Sequence, residues 1–431
     1  MQSESPVRIA DITPASDTES LSVTEAHNLI QDHVQPITET ETASLKHALG
    51  RVLARDIVSP INVPAADNSA MDGYALRSAD LDAASTSPTL TLAIAGHAHA
   101  GHPFTGRASA GSCVRIMTGA IIPEECDIVL PQELAHRTSD TQVVLPSKTV
   151  RPGLNIRRAG EDLAIGQIAL RRGRLLTPAD LGLMASLGFA EVPVMRTLRV
   201  AHFSTGDELR SAGQALESGS VYDSNRYTLH GMLTRAGVQP IDLGLVNDDP
   251  ASIETALRHA CTEADAVITS GGVSAGDADY TRQMMARLGD VAFWKIAMRP
   301  GSQLAFGMLD LKGKRTLLFG LPGNPVATMV AFYFFARPAL HRLAGAHVPA
   351  PVTVRAISEV DIQKKSGRTE FQRGLLSRAP EGELRVRTTG AQGSGILSSM
   401  TEANAMIVLH HDRGSVSQGE WVDVLLFDGL T

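Results

Sequence analysis

Residues 267–280 read VITSGGVSAGDADY, a β-branched run that closes on Ser270, Gly271 and Gly272, with Ser274 and Gly276 just beyond. A strand that opens into a helix through such a turn exposes bare backbone N–H groups that can face a phosphate. Asp277 and Asp279 follow at once. At about 4 Å and an effective dielectric of about 20, each carboxylate repels a unit anionic charge by roughly 4 kcal/mol, more than one helix-dipole interaction returns. Either a positive group intervenes, or the loop does not hold an anion.

Outward from this stretch, strands and helices alternate from Leu198: LRVAHF, SNRYTLHGMLTRAG, IDLGLV, SIETALRHACTEA and AVITS. That rhythm predicts a mostly parallel sheet with helices on both faces, running to about Gly345. Ligands of such sheets bind beyond the carboxyl ends of the strands. Three strand ends here carry unusual loops: STGDEL, SGGVSAGDADY and LPGNP. STGDEL offers Ser204, Thr205, Gly206, Asp207 and Glu208, a set that a capped helix start would also explain. In LPGNP, Asn324 and Pro325 read as the cap and first turn of a helix, whereas Pro322 and Gly323 require a rigid turn at a strand end.

The flanking regions differ in texture. SVTEAHNLI carries a capping box, Ser22 with Glu25, and LLTPADLGLMASLG opens on Thr177 and Pro178 and stops at Gly188, so both read as helices. Between them, from Pro60 to about Val150, short runs such as LTLAIAG and TQVVLP are cut by Gly and Pro, which predicts a compact β-rich unit. After His347, VTVRAI, FQRGLL and WVDVLLF predict a final all-β unit. VATMVAFYFFA, from Val326, is too short for a bilayer and reads as a buried helix. The first twenty residues are polar, lack a signal-peptide core and read as a mobile tail.

Composition sets the chemical bounds. A chain of 431 residues needs more than one core, and a net charge of −7 opposes bulk nucleic-acid binding. The three cysteines, Cys113, Cys126 and Cys261, form no CxxC pair and read as reduced thiols of a cytoplasmic protein. None of the 14 histidines makes an HExxH, and no nucleophile elbow is evident. Basic candidates are Lys295 on a strand and Arg299 before a Pro-Gly turn, with solvated surface charge as the competing reading. Arg157 and Arg158 stand beside Glu161 and Asp162, which a surface salt-bridge cluster would also explain. Glycine-lined hydroxyl loops with scattered carboxylates point to a phosphorylated substrate held through a hard divalent cation, and Mg2+ fits because it needs only one or two carboxylates.

In order along the chain stand DNSAMDGYAL, VRIMTGAIIP, GLNIRRAGEDL, STGDEL, SGGVSAGDADY, AMRPG and GLPGNPV. This set, covering the chain from about Ser22 to its end, resembles the molybdopterin molybdenumtransferase family, the MoeA and gephyrin E-domain proteins. The resemblance implies a multidomain α/β protein: a three-layer α/β/α sandwich of molybdopterin-binding type at 196–346, a β-rich inserted domain at 61–159, a discontinuous, elongated, helical domain at 21–60 and 160–195, and a C-terminal β-barrel-like domain at 347–431. It implies an enzyme that inserts molybdate into adenylylated molybdopterin and releases AMP with Mg2+. It further implies a homodimer in which the sandwich faces the β-rich domain of the other subunit, with molybdopterin adenylyltransferase upstream and molybdoenzymes or cofactor carriers downstream.

Carried over by position, Asp72, Thr118, Asp162, Glu208, Asp248, Asp279 and Lys295 match the family's cleft residues. Arg299 stands where a lysine is often found. Asp72, Asp248 and Asp279 are the implied metal ligands. Ser204, Thr205, Gly206, Ser270, Gly271, Gly272, Ser274, Gly276, Pro322, Gly323, Asn324, Pro325, Arg373 and Ser394 would hold the substrate. A gephyrin-like scaffold without catalysis and the related adenylyl transfer to the pterin are the competing readings, separated by receptor-loop binding and by ATP consumption.

Overall fold

The computed structural model describes residues 8–11, 20–84, 86–147, 151–273 and 280–427. Its centre is a six-stranded sheet in the order 239–246, 199–205, 266–270, 314–321, 303–311, 289–295. The first four strands are mutually parallel, 303–311 runs opposite to them, and 289–295 pairs antiparallel with 303–311. Alternation along the buried strands sends side chains to two cores, as the period of two requires. Val200, Ile268 and Phe319 join helices Val23–His33, Asn225–Arg235 and Pro325–Ala331 on one face. Ala201, Phe203, Val267 and Leu318 join helices Pro250–Glu263 and Tyr280–Leu288 on the other. Three layers result.

The strand order places a switch point between 199–205 and 266–270, since the chain moves outward from 199–205 in one direction and then returns past it. Helices on both sides diverge from that crevice, and ligands of such sheets sit there. STGDEL and SGG leave its two walls. The apolar run from Val326 continues from helix Pro325–Ala331 through one π-helical turn, Phe332–Ala336, into Arg337–Leu343, with Phe332 and Phe335 fully buried. The wider turn keeps the helix continuous up to Pro338, which takes a first-turn position where its missing N–H has no cost. Among the described residues no helix is long and apolar enough to cross a membrane.

Around this sandwich lie three further sheet systems. Residues 73–146 form a six-stranded sheet in the order 128–131, 73–76, 112–116, 89–98, 142–146, 136–137. Its flanks pair with each other: Thr40–Ser44 with Glu191–Met195, and Ile57–Val58 with Ile168–Leu170, so the sheet is an excursion from a unit built by two chain segments. The C-terminal strands 369–378, 384–388, 353–358, 421–426 and 405–409 form a ring that closes through pairing of 369–378 with 405–409. Closure removes both sheet edges.

Two features differ from expectation. Helix Val23–His33 has the expected capping box, but it buries Ala26 and Ile30 in the sandwich core rather than against the paired ribbons. Its apolar stripe matches the groove beside helix Arg337–Leu343. Part of the expected N-terminal tail is tied down: Ile9 is 2% exposed within the sandwich core, and the N–H groups of Ile9 and Ala10 each donate to Asp290 at 2.8 Å. One buried isoleucine and one carboxylate suffice to hold a segment that is otherwise polar.

Candidate functional site

The three loops at the strand ends are bound into one node. Strand Arg199–Thr205 delivers Ser204, whose hydroxyl donates to Asp223 Oδ1 at 3.0 Å. Strand Ala266–Ser270 delivers Ser270, whose Oγ accepts the Asn225 amide at 2.6 Å; the same amide donates to the Gly323 carbonyl at 2.6 Å. Gly271 and Gly272 adopt φ of +93° and +66°. A Cβ on Gly271 would stand 2.6 Å from the Thr205 carbonyl, and one on Gly272 would stand 2.4 Å from Thr281, so only glycine fits either position. Ser274, Gly276, Asp277 and Asp279 lie outside the described residues.

STGDEL does not start a helix. After Thr205 the chain forms a short parallel ribbon, Leu209–Arg210 with Val221–Tyr222, so helix capping does not account for Asp207. Asp207 and Glu208 instead lie within electrostatic reach of Asp248. Burial, followed by repulsion from Asp207, Glu208 and Asp249, pushes the Asp248 carboxyl above its usual range. Among the described residues no three acidic, histidine or cysteine side chains converge at metal-ligand distances. Asn324 departs from expectation in a similar way. It occupies the N-cap position of helix Pro325–Ala331 but makes no side-chain cap bond, and Thr328 Oγ1 instead donates to the Pro322 and Asn324 carbonyls.

The Asn324 side chain joins a cavity of about 450 Å³ lined by Lys295, Arg299, Pro322, Asn324, Arg368, Ser394 and Ser20, among others. Lys295 ends the edge strand Gly289–Lys295 with its side chain exposed, whereas Ile296 beyond it is 1% exposed, as alternation predicts. Arg299 is placed by parallel pairing of Met298–Arg299 with Thr369–Glu370, which carries the cleft segment onto the barrel. Arg299 and Pro300 also line an adjoining cavity of about 300 Å³ whose wall includes Arg373. Arg373 is fully buried and, among the described residues, meets only neutral acceptors: Ser399 Oγ at 2.9 Å and the carbonyls of Ala391, Gln392 and Gly393 at 3.0–3.5 Å. Burial, with Arg299 adding repulsion, lowers its pKa to about 10. A buried guanidinium without a carboxylate is a standing attractor for an anion. Arg368 is less available, because it pairs with Glu370 at 2.7 Å.

A second group forms at the end of the 73–146 sheet. Asp72 and Thr118 flank the paired strands Gly73–Leu76 and Ser112–Ile116, so Asp72 Oδ1 accepts both the N–H and the O–H of Thr118 at 2.7 Å. Those two donors hold the Asp72 carboxyl below its usual range. The loop carrying Asp162 lies near the DNSAMDGYA loop through pairing of Ile156–Arg157 with Asn68–Ser69. Arg158 there pairs with Asp67 at 2.5 Å rather than with its sequence neighbours, while Glu161 accepts the Arg158 N–H. None of Asp72, Thr118 and Asp162 lines the Lys295 cavity of the same chain.

Three family models match successive parts of the chain: "MoeA N-terminal region (domain I and II)" over residues 21–188, "Probable molybdopterin binding domain" over 201–342, and "MoeA C-terminal region (domain IV)" over 355–427. The molybdopterin molybdenumtransferase of Haemophilus influenzae is 43% identical over 411 residues, covering 95% of this chain and 99% of that protein. The chain belongs to the molybdopterin molybdenumtransferase family. The Bacillus subtilis member is 35% identical over 91% of both chains. The crystal structure of the molybdopterin biosynthesis MoeA protein from Pyrococcus horikoshii superposes with a TM-score of 0.81 at 30% identity, covering 95% of this chain and all of that one.

Sequence reading within this family's motifs left out Asp223 and Asn225. The available signal was VYDSN immediately before a helix: Ser224 takes the N-cap position without a side-chain cap bond, and the polar side chains on either side of it turn inward.

Proposed function

We propose that this chain is a molybdotransferase of molybdenum cofactor biosynthesis, taking adenylylated molybdopterin and molybdate and releasing the molybdenum cofactor and AMP. The observation that carries this reading is the cavity in which Lys295 and Arg299 face Asn324 and Ser394 beyond the carboxyl ends of strands 314–321 and 289–295, its wall at Gly323 tied to the Ser270 strand end through Asn225. An acidic protein meets two anionic substrates there with locally concentrated positive charge. Lys295, Arg299 and Arg373 would hold the phosphates and molybdate in line, and the Thr205 and Ser270 hydroxyls with the Gly272 N–H would take the pterin phosphate, Ser204 and Gly271 shaping the walls because the Ser204 hydroxyl donates to Asp223 and the Gly271 N–H to Leu321. Arg299 in place of lysine keeps the charge and adds a planar pair of donors.

Mg2+ would offset the charge between the adenylyl phosphate and the acidic loops. Burial, followed by repulsion from Asp207 and Glu208, raises the Asp248 pKa, and a cation that takes one or two carboxylates and completes its shell with water and substrate oxygens would relieve that repulsion. Asp72 and Asp279 are the other proposed carboxylates. A homodimer would bring the Asp72–Thr118 pair of one subunit to the Lys295 cavity of the other, which accounts for a polar pair built outside that cavity. The proposed setting is cytoplasmic, with a molybdopterin adenylyltransferase supplying substrate and molybdoenzymes or carriers accepting product. The proposed domains are 21–60 with 160–195, 61–159, 196–346 and 347–431.

The test is AMP release from adenylylated molybdopterin with Mg2+, with and without molybdate. Molybdate-dependent release that reconstitutes an apo-molybdoenzyme is expected. Pterin binding without release under any condition would reject catalysis and leave a scaffold.

A further inference from the structure

Asp223 and Asn225 are 4% and 7% exposed, yet they stand where a helix start would ordinarily face water. Each holds the end of a different strand. Asp223 Oδ1 accepts the Ser204 hydroxyl and the Arg226 N–H, the latter at 3.2 Å, and the Asp223 N–H donates to the Arg210 carbonyl at 2.9 Å. Asn225 Nδ2 commits both its hydrogens, one to Ser270 Oγ and one to the Gly323 carbonyl. Thus one dipeptide-spaced pair spans strands 199–205, 266–270 and 314–321, which are neighbours in the sheet and carry the three candidate substrate loops.

The bonding also fixes direction. Ser270 Oγ receives a proton from Asn225, so the Ser270 hydroxyl proton must point to another acceptor. Gly323 follows Pro322 and precedes Asn324, two residues of the cationic cavity, so the Asn225 amide ties the wall of that cavity to the glycine turn at Gly271. The two loops lie side by side: a Cβ on Gly323 would be in ordinary contact with the Gly271 Cα, at 3.7 Å. Loss of the amide hydrogens would leave a buried carbonyl and a buried hydroxyl without their donor, and the two loops would separate.

We infer that Asn225, seconded by Asp223, is a positioning residue: it sets the spacing between the phosphate-facing turn Ser270–Gly272 and the Pro322–Asn324 wall, and it directs the Ser270 hydroxyl as a donor toward the substrate. This rests on the molybdotransferase reading of the site. A displacement near 1 Å at reacting groups lowers turnover by roughly 100-fold, so loss of this tie acts on the reaction as well as on stability.

The experiment compares wild type with Asn225→Asp, Asn225→Ala, Ser270→Ala and the double variant Asn225→Ala/Ser270→Ala, measuring thermal melting, molybdopterin binding by calorimetry, and AMP release. Asn225→Asp keeps the shape and removes the two donors. The expected result is a melting temperature lowered by several degrees as two buried acceptors lose their donor, with molybdopterin binding by the folded protein weakened about tenfold and AMP release reduced at least as much, by roughly tenfold to 100-fold. The double variant should be no worse than Asn225→Ala alone, because Ser270 is reached through Asn225. Binding and turnover at wild-type level in Asn225→Asp would overturn the inference, as would fully additive losses in the double variant. Should Asn225→Ala unfold, Asn225→Asp and Ser270→Ala still decide. Wild-type protein that binds molybdopterin but releases no AMP refutes the transferase reading alone, and the binding comparison then judges the positioning role.

Discussion

Replacing Gly271 by alanine tests whether the strand-end turn has the geometry on which the site depends. The residue has φ of +93°, and an added Cβ would lie 2.6 Å from the Thr205 carbonyl oxygen. That oxygen belongs to the last residue of a strand locked in register with its parallel neighbour, Thr205 opposite Val246, so it cannot swing aside as a flexible side chain would. Left-handed backbone strain at a residue with a Cβ costs about 1–2 kcal/mol. Relieving the contact to an ordinary separation requires a shift of roughly 0.8 Å between the STGDEL and SGG loops, and overpacking of this kind costs a further 1–3 kcal/mol or so. The sum, roughly 2–5 kcal/mol, corresponds to a drop of roughly 5–15 °C in the melting transition of a unit of this size. A shift of that size at the phosphate-facing turn should also raise KM for adenylylated molybdopterin about tenfold or more. Gly231 is the control, since it lies within helix Asn225–Arg235 with nothing within 4 Å of an added Cβ. Gly231→Ala should stabilise by about 0.5–1 kcal/mol and leave kinetics unchanged. Differential scanning calorimetry with steady-state AMP release measures both variants. Equal melting temperatures and equal KM values for the two would refute the claim that the turn is held against Thr205.

At the cleft, Arg299→Ala should weaken molybdate use by roughly tenfold to 100-fold, whereas Arg299→Lys keeps the charge and should stay within about fivefold of wild type; equal losses would show that the guanidinium fork, rather than charge, is what matters. Burial lowers the ring pKa of His202 and of His341 to about 4, His202 against an opposing pull from Asp242 and with added repulsion from His230 and Arg226, His341 with added repulsion from Arg337. Both rings are therefore neutral when folded, while the unfolded chain takes up protons below about pH 6.5, so their stability contribution is complete above that value and is lost as pH falls toward 4. Each should contribute a loss on the order of 2 kcal/mol between pH 7 and pH 5, and denaturant titrations of His202→Leu at the two pH values should show a correspondingly smaller difference than wild type. Asp290→Ala removes both acceptors of the Ile9 and Ala10 N–H groups. Cleavage by a nonspecific protease ahead of Ser20 should then accelerate roughly tenfold or more, and an unchanged rate would mean that Ile9 burial alone anchors the arm.

The sandwich was legible because its signals are local. The β-branched run of AVITS, buried along its whole length, the caps at Ser22 and Thr177, and Pro325 in a first turn each follow from local propensity and bonding within a few residues. The same locality misled at two points. STGDEL and Asn324 both carry the chemistry of helix starts, but the first continues as a ribbon and the second makes no side-chain cap bond and lines the cavity. Arg158 pairs with Asp67, distant in sequence, rather than with the nearby Glu161 carboxylate.

By itself the sequence determined the element types, the alternation that builds a parallel sheet, and the identity of the chemical groups at the strand ends, since these depend on side-chain periodicity and backbone freedom. Only the tertiary structure decided which groups meet. The switch point, the inward turn of Asp223 and Asn225, the anchoring of Ile9 and the closing of the barrel beside Arg299 join segments tens to hundreds of residues apart. Such contacts are selected by burial and hydrogen-bond satisfaction over the whole chain, which no short stretch encodes.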